Sequence, residues 1–127
     1  MTAARLEHTN FTVTDLDKTA AWMADVFGWR IRWQGRAIND GTTYHVGGDD
    51  SYVAIYRPQG DISDGSSPYV TRGGLNHMGV VVDDLDAAEA RVIAAGFTPR
   101  SHADYEPGKR FYFDDHDGIE FEVISYS

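Results

Sequence analysis

Shifting the chain by 69 residues lays Leu6, His8, Val13, Asp15, Leu16 and Asp17 on Leu75, His77, Val82, Asp84, Leu85 and Asp86. An internal repeat constrains the fold before any local motif does, because each copy must build the same small unit. Each copy opens on alternating apolar residues, Leu6 to Thr14 and Leu75 to Val82, the period of a half-buried strand. Asp15 and Asp84 follow as N-caps, since a short carboxylate can accept the free amides of a first helical turn. Leu16, Ala20, Met23 and Phe27 then recur at helical spacing before Gly28, as do Leu85, Ala88, Val92 and Ala95 before Gly96.

Short β-rich stretches complete each copy. They are Trp29 to Trp33, Thr42 to Val46 and Tyr52 to Tyr56, then Phe97 to Ala103, Arg110 to Phe113 and Ile119 to Ser125. Each half reads βαβββ, and the chain is expected to be one α+β domain. Module one would span 1–57 and module two 75–127, with the Gly-, Ser-, Asp- and Pro-rich stretch 58–74 as linker.

Composition narrows the chemistry. The chain has 127 residues and 42% hydrophobic content, enough for one packed core. Its net charge of -9 repels phosphate backbones and anionic lipid heads, so neither nucleic acid nor membrane is an expected partner. No cysteine is present, which removes disulfides, thiolate nucleophiles and iron–sulfur clusters and leaves His, Asp and Glu as metal donors. The N-terminal sequence shows no secretory h-region, and a cytoplasmic location is expected.

Residues two apart on a strand share a face. If Phe11 and Val13 face the helix, then His8, Asn10 and Thr12 face away; likewise Met78, Val80 and Val82 leave His77, Gly79 and Val81 on the other side. Phe121 and Val123 leave Glu120, Glu122 and Ile124, and Phe111 and Phe113 leave Arg110 and Tyr112. Taken singly, each of these His and Glu residues would be an ordinary polar side chain. Repeated at the same place in both halves, His8 and His77 with Glu122 form a set of two imidazoles and one carboxylate, able to hold a divalent metal with positions left open.

The stretches Leu6 to Leu16, Phe27-Gly28-Trp29, Leu75 to Val80 and Phe113 to Glu122 resemble the vicinal oxygen chelate superfamily, which includes glyoxalase I, extradiol dioxygenases, fosfomycin-resistance enzymes and bleomycin-resistance proteins. The resemblance covers nearly the whole chain. It implies two βαβββ modules whose strands form an eight-stranded cup with the helices outside, and metal ligands at His8, His77 and Glu122. The fourth ligand of the glyoxalase type falls here on Ala54, which cannot coordinate. Three ligands are the pattern of the extradiol dioxygenases, which favours Fe(II) or Mn(II), with Zn(II) or Ni(II) as further candidates. Tyr112, Asp115, Gly118 and Glu122 are similar to the extradiol signature near the chain end, with His116 where that signature has Pro and His102 upstream. No His stands on the strand of Ala54, where those dioxygenases carry their general acid.

The resulting expectation is a metal-dependent enzyme chelating a small substrate with adjacent oxygens, either dioxygenase-like or a glyoxalase-like lyase or isomerase. Tyr112, Glu120 and Arg110 would be the proton carriers and substrate clamp, and Asn10, Tyr52, Tyr56 and His102 would line the substrate site. The alternative is a metal-free drug- or metabolite-binding protein like the bleomycin-resistance proteins. His45, on the third strand, reads as structural or exposed, and Trp22, Trp29 and Trp33 as fillers of the helix–sheet core or a subunit contact. A homodimer is expected.

Overall fold

The computed structural model describes residues 2–105 and 107–127. Among the described residues there are eight strands and two α-helices: β1 (His8–Thr12), α1 (Leu16–Phe27), β2 (Arg30–Arg36), β3 (Thr42–Gly47) and β4 (Tyr52–Arg57), then β5 (Met78–Val81), α2 (Leu85–Ala94), β6 (Arg100–Tyr105), β7 (Gly108–Asp114) and β8 (Glu120–Ser125), with a short 3-10 turn at Ile38–Asp40. The strands form two four-stranded mixed sheets, ordered β1-β4-β3-β2 and β5-β8-β7-β6. β1 runs parallel to β4 and β5 parallel to β8, and the remaining neighbours are antiparallel. The α+β fold of two βαβββ modules is therefore present. The chain divides into two compact units between Ile62 and Ser63, inside the segment 58–74.

Both helices start where the sequence says they should. Asp15 accepts the amide of Lys18 at 3.0 Å and Asp84 that of Ala87 at 3.0 Å, each serving an orphan donor of the first turn. α1 ends on Gly28 in the left-handed region at φ 71°, and α2 runs through Ala95 to Gly96 at φ 97°.

In the first unit, Phe11, Val13, Met23, Val26, Val46, Val53 and Ile55 are buried between α1 and its sheet. In the second, Ala88 and Val92 of α2 are buried, as are Phe111, Phe113, Phe121 and Val123, with the Phe113 and Phe121 rings stacked at 5.3 Å. Each such phenylalanine contributes about 1.5–3 kcal/mol by leaving water. The second sheet's alternation leaves Glu120 and Glu122 on the face away from α2. No helix of the described residues is long and apolar enough to cross a membrane.

Two irregularities matter for the site. The β2–β3 register slips between Ile31 and Trp33, and the β6–β7 register slips between Arg100 and Ala103, where Ser101 takes a positive φ of 57°. Each is a β-bulge on an edge strand, in the same place in both units.

Candidate functional site

In the second unit the ladder sets Glu122 beside Gly79 and Tyr112, and His77 immediately precedes β5 rather than lying inside it. His77 Nε2 stands 3.2 Å from Glu122 Oε1. The other carboxylate oxygen of Glu122 accepts from Arg110 Nη1 at 2.8 Å, and both side chains are largely buried. Burial alone would lower the Arg110 guanidinium, but the bond to Glu122 and its charge overcome that and the net shift is upward. The Arg110 guanidinium also lies 4.9 Å from the Tyr105 ring centroid. Tyr112 meets His77 edge-on at 5.8 Å, and burial together with the Glu122 charge raises its phenol above the ordinary range.

Glu120 sits on the other side of His77, 3.6 Å from Nδ1. Its carboxylate is already engaged, by Arg100 at 3.0 Å and by the Tyr69 hydroxyl at 2.5 Å. Burial would raise this carboxyl, but the Tyr69 and Arg100 bonds outweigh it and hold it below its usual value. Glu120 is thus kept ionised. His77 Nδ1 lies 2.6 Å from Asn76 Oδ1; in the tautomer with its proton on Nδ1, the ring donates to Asn76 and presents the Nε2 lone pair on the Glu122 side.

In the first unit the corresponding face is aromatic. His8 opposes Tyr52 across the parallel pair, and the two rings stack at 4.8 Å with 12° between planes. Tyr52 stacks in turn on His45 at 4.5 Å, and His45 meets Trp33 at 5.1 Å. Glu7 Oε1 lies 2.9 Å from His8 Nδ1 and accepts the Tyr52 hydroxyl at 3.4 Å. The His8 contact leads in drawing the Glu7 carboxyl downward. Burial, reinforced by the neighbouring positive charges, lowers His45 and favours its neutral imidazole.

Ala54 is buried in β4 between Asn10 and His45, where the second unit has Glu122 between Gly79 and Tyr112. Asn10 is exposed on β1 beside it. Tyr56 donates to the Ile38 carbonyl at 2.8 Å and packs over Gly41, a fold-forming contact. His102 is not brought to the His77 face. It pairs with Glu89 of α2 at 2.7 Å and lies 6.0 Å from the core ring of Phe111, because the bulge at Ser101 turns it toward the helix. Trp22 fills the core as expected, but Trp33 is 52% exposed. Sequence reasoning also missed Tyr69, which lies in the linker, Arg100, which carries no motif, and Asn76 and Glu7, which stand inside the quoted motifs but act only through their neighbouring His.

A sequence model of the Glyoxalase/Bleomycin resistance protein/Dioxygenase superfamily matches residues 5–123. The chain belongs to this superfamily.

Solved structures of similar fold include a glyoxylase/bleomycin resistance protein/dioxygenase domain from Frankia sp. EAN1pec, with TM-score 0.83 and 23% identity over 98% of this chain and 93% of that one. The fosfomycin resistance protein FosX from Listeria monocytogenes, complexed with Mn(II) and sulfate, superposes with TM-score 0.72 at 18% identity, covering 99% of this chain and 95% of that one. TnmS3, an antibiotic-binding protein from Streptomyces sp. CB03234, gives TM-score 0.73 at 18% identity, covering 100% and 99%. Comparison with curated protein sequences gives no match. At these identities the likeness concerns the fold.

The superfamily's implied divalent metal can be tested against the donors present. Among the described residues, no group of three or more His, Asp and Glu side chains is gathered to hold a metal. Two donors nevertheless fit. The Nε2 lone pair of His77 and Oε1 of Glu122, 3.2 Å apart, have the separation of neighbouring ligands around one ion. His8, with Nδ1 against Glu7, likewise keeps Nε2 available. A ligating imidazole whose second nitrogen is held by a carboxylate or carbonyl oxygen is the usual outer arrangement of a metal site.

Proposed function

We propose that the protein is a metal-dependent enzyme acting on a small organic substrate with adjacent oxygens, with His8, His77 and Glu122 as ligands of one divalent ion such as Mn(II) or Fe(II). The observation that carries this reading is the His77–Glu122 pair, with Asn76 behind the imidazole and Arg110 behind the carboxylate. When bound, the ion would supply Lewis-acid polarisation of substrate oxygens.

The chain's own residues would do the rest. Asn76 and Glu7 orient the two imidazoles, and Arg110 fixes the carboxylate so that Oε1 faces His77. Tyr112, kept protonated by its surroundings, can donate a hydrogen bond to a developing oxyanion beside Glu122. Glu120, held ionised, can take up a proton at Oε2 when Tyr69 gives way.

The test is metal analysis after purification, with re-addition of Fe(II), Mn(II), Ni(II) and Zn(II). One equivalent of Mn(II) or Fe(II), lost in His77→Ala and in Glu122→Gln, is the expected result. Lack of stoichiometric metal, unaltered by His77→Ala, would leave the second reading, a metal-free binding protein. The ionic grip of Arg110 on Glu122 and the donor-free Ala54 favour that second reading.

A further inference from the structure

The polar face of the first unit offers a site that the metal ligands do not account for. The bulge between Ile31 and Trp33 puts Trp33 opposite His45, on the sheet face away from α1. There the indole lies flat along its own strand, over Gly35. A Cβ at Gly35 would stand 2.6 Å from Cη2 and 2.7 Å from Cζ2 of Trp33, so only glycine lets the ring settle on the backbone. With its six-membered ring over Gly35 and tilted 49° to the His45 ring, Trp33 still leaves about half its surface, 52%, in water.

The surface continues from Trp33 through His45 and Tyr52 to His8, and the last three rings lie within 21° of one another. The Arg32 guanidinium lies 4.7 Å from the Tyr52 centroid, and among the described residues no carboxylate forms an ion pair with it. The Arg32 charge helps lower the Glu7 carboxyl, and in a chain of net charge -9 this cation, on the same face as the half-exposed Trp33, also matches a ligand that is both planar and anionic.

We propose that this face is a stacking site for a planar aromatic ring carrying an acidic oxygen, with Trp33 as its floor, Gly35 holding the indole flat and Arg32 meeting the oxyanion. The proposal rests on the reading above that the protein acts on a small organic substrate, and it names that substrate's class as aromatic.

The probe is 2-naphthoate, which has the ring and the charge but no pair of adjacent hydroxyls, titrated by calorimetry into protein kept in EDTA. Its saturated counterpart is cyclohexanecarboxylate. The expected result is binding of 2-naphthoate about tenfold tighter than the saturated acid, reduced about tenfold in Trp33→Ala and largely regained in Trp33→Phe. Gly35→Ala, which lifts the indole without removing it, is expected to weaken 2-naphthoate as well, and Arg32→Gln to abolish the salt dependence of binding. Equal affinity for the two acids overturns the proposal and needs no variant. So does a Trp33→Ala protein of unchanged affinity but altered oligomeric mass, which would assign the ring to a subunit contact. Because chelator is present throughout, this outcome is independent of whether the protein takes up Mn(II).

Discussion

Arg110 holds the oxygen of Glu122 that His77 does not face: the guanidinium binds Oε2 at 2.8 Å while Oε1 stands 3.2 Å from Nε2. One carboxylate therefore meets a fixed cation through one oxygen and the His77 imidazole through the other.

Replacing Arg110 by Met leaves the largely buried Glu122 carboxylate without its partner charge. Breaking such a pair from one side destabilises strongly, so the chelated variant is expected to melt several degrees below the parent. Mn(II) would restore part of the missing charge compensation. Its addition is therefore expected to raise the melting temperature of Arg110→Met by more than that of the parent, in parallel thermal scans. Equal shifts would contradict the pairing of both functions on one carboxylate.

In the proposed metal site, Asn76 would act on affinity through the His77 tautomer, since its Oδ1 lies against Nδ1. Asn76→Ala is expected to weaken Mn(II) binding about 10- to 100-fold while leaving the fold intact. Titration calorimetry checks the affinity, and imidazole nitrogen shifts check the tautomer; an unchanged tautomer with weakened binding would count against this route.

Asp115 is buried, and its Oδ1 accepts the amides of Asp117 at 2.9 Å and Ile119 at 3.0 Å. Burial dominates and raises the carboxyl above its ordinary 3.8. A carboxyl raised in the folded state favours the folded protein when protonated; that contribution is complete below 3.8 and is lost as pH rises through the native value. Asp115→Asn keeps an acceptor and removes the charge, so its stability relative to the parent is expected to improve from pH 4 to pH 7 in denaturant titrations. Asp115→Ala loses both turn bonds and is expected to cost about 1–2 kcal/mol.

Tyr69 reaches Glu120 from the linker, and its hydrogen bond does most to pull that carboxyl down. Tyr69→Phe is expected to let Glu120 titrate closer to its ordinary 4.5, as followed by carboxyl carbon shifts. Glu120 stabilises the folded chain above that ordinary value and loses the effect as pH falls through its lowered native one, so the variant should be less stable near neutrality, with the deficit fading in acid. A superimposable titration would place Tyr69 off the carboxylate in solution.

The expected homodimer is checked by light scattering, where a monomer mass would contradict it.

The helices, their Asp caps and the faces of His8, Glu122, Tyr112 and Arg110 were legible because strand parity and capping are local properties of the chain. Parity fails beyond a bulge. Counting by twos places Trp33 with Ile31 and His102 with Arg100, whereas the slipped registers put Trp33 on the polar face and His102 against α2. Tyr69 was invisible for a different reason, since its link to Glu120 depends on how the linker folds back and no spacing encodes that.

Both bulges lie on strands that end a sheet, β2 and β6. An outermost strand with an unbroken row of free amides invites a foreign strand to extend the ladder. An extra residue near Arg32 and another near Ser101 interrupt that row and twist the strand out of line. The irregularity that brings Trp33 to the polar face thus also blunts the β2 edge of its sheet against strand addition, as the one near Ser101 blunts the β6 edge.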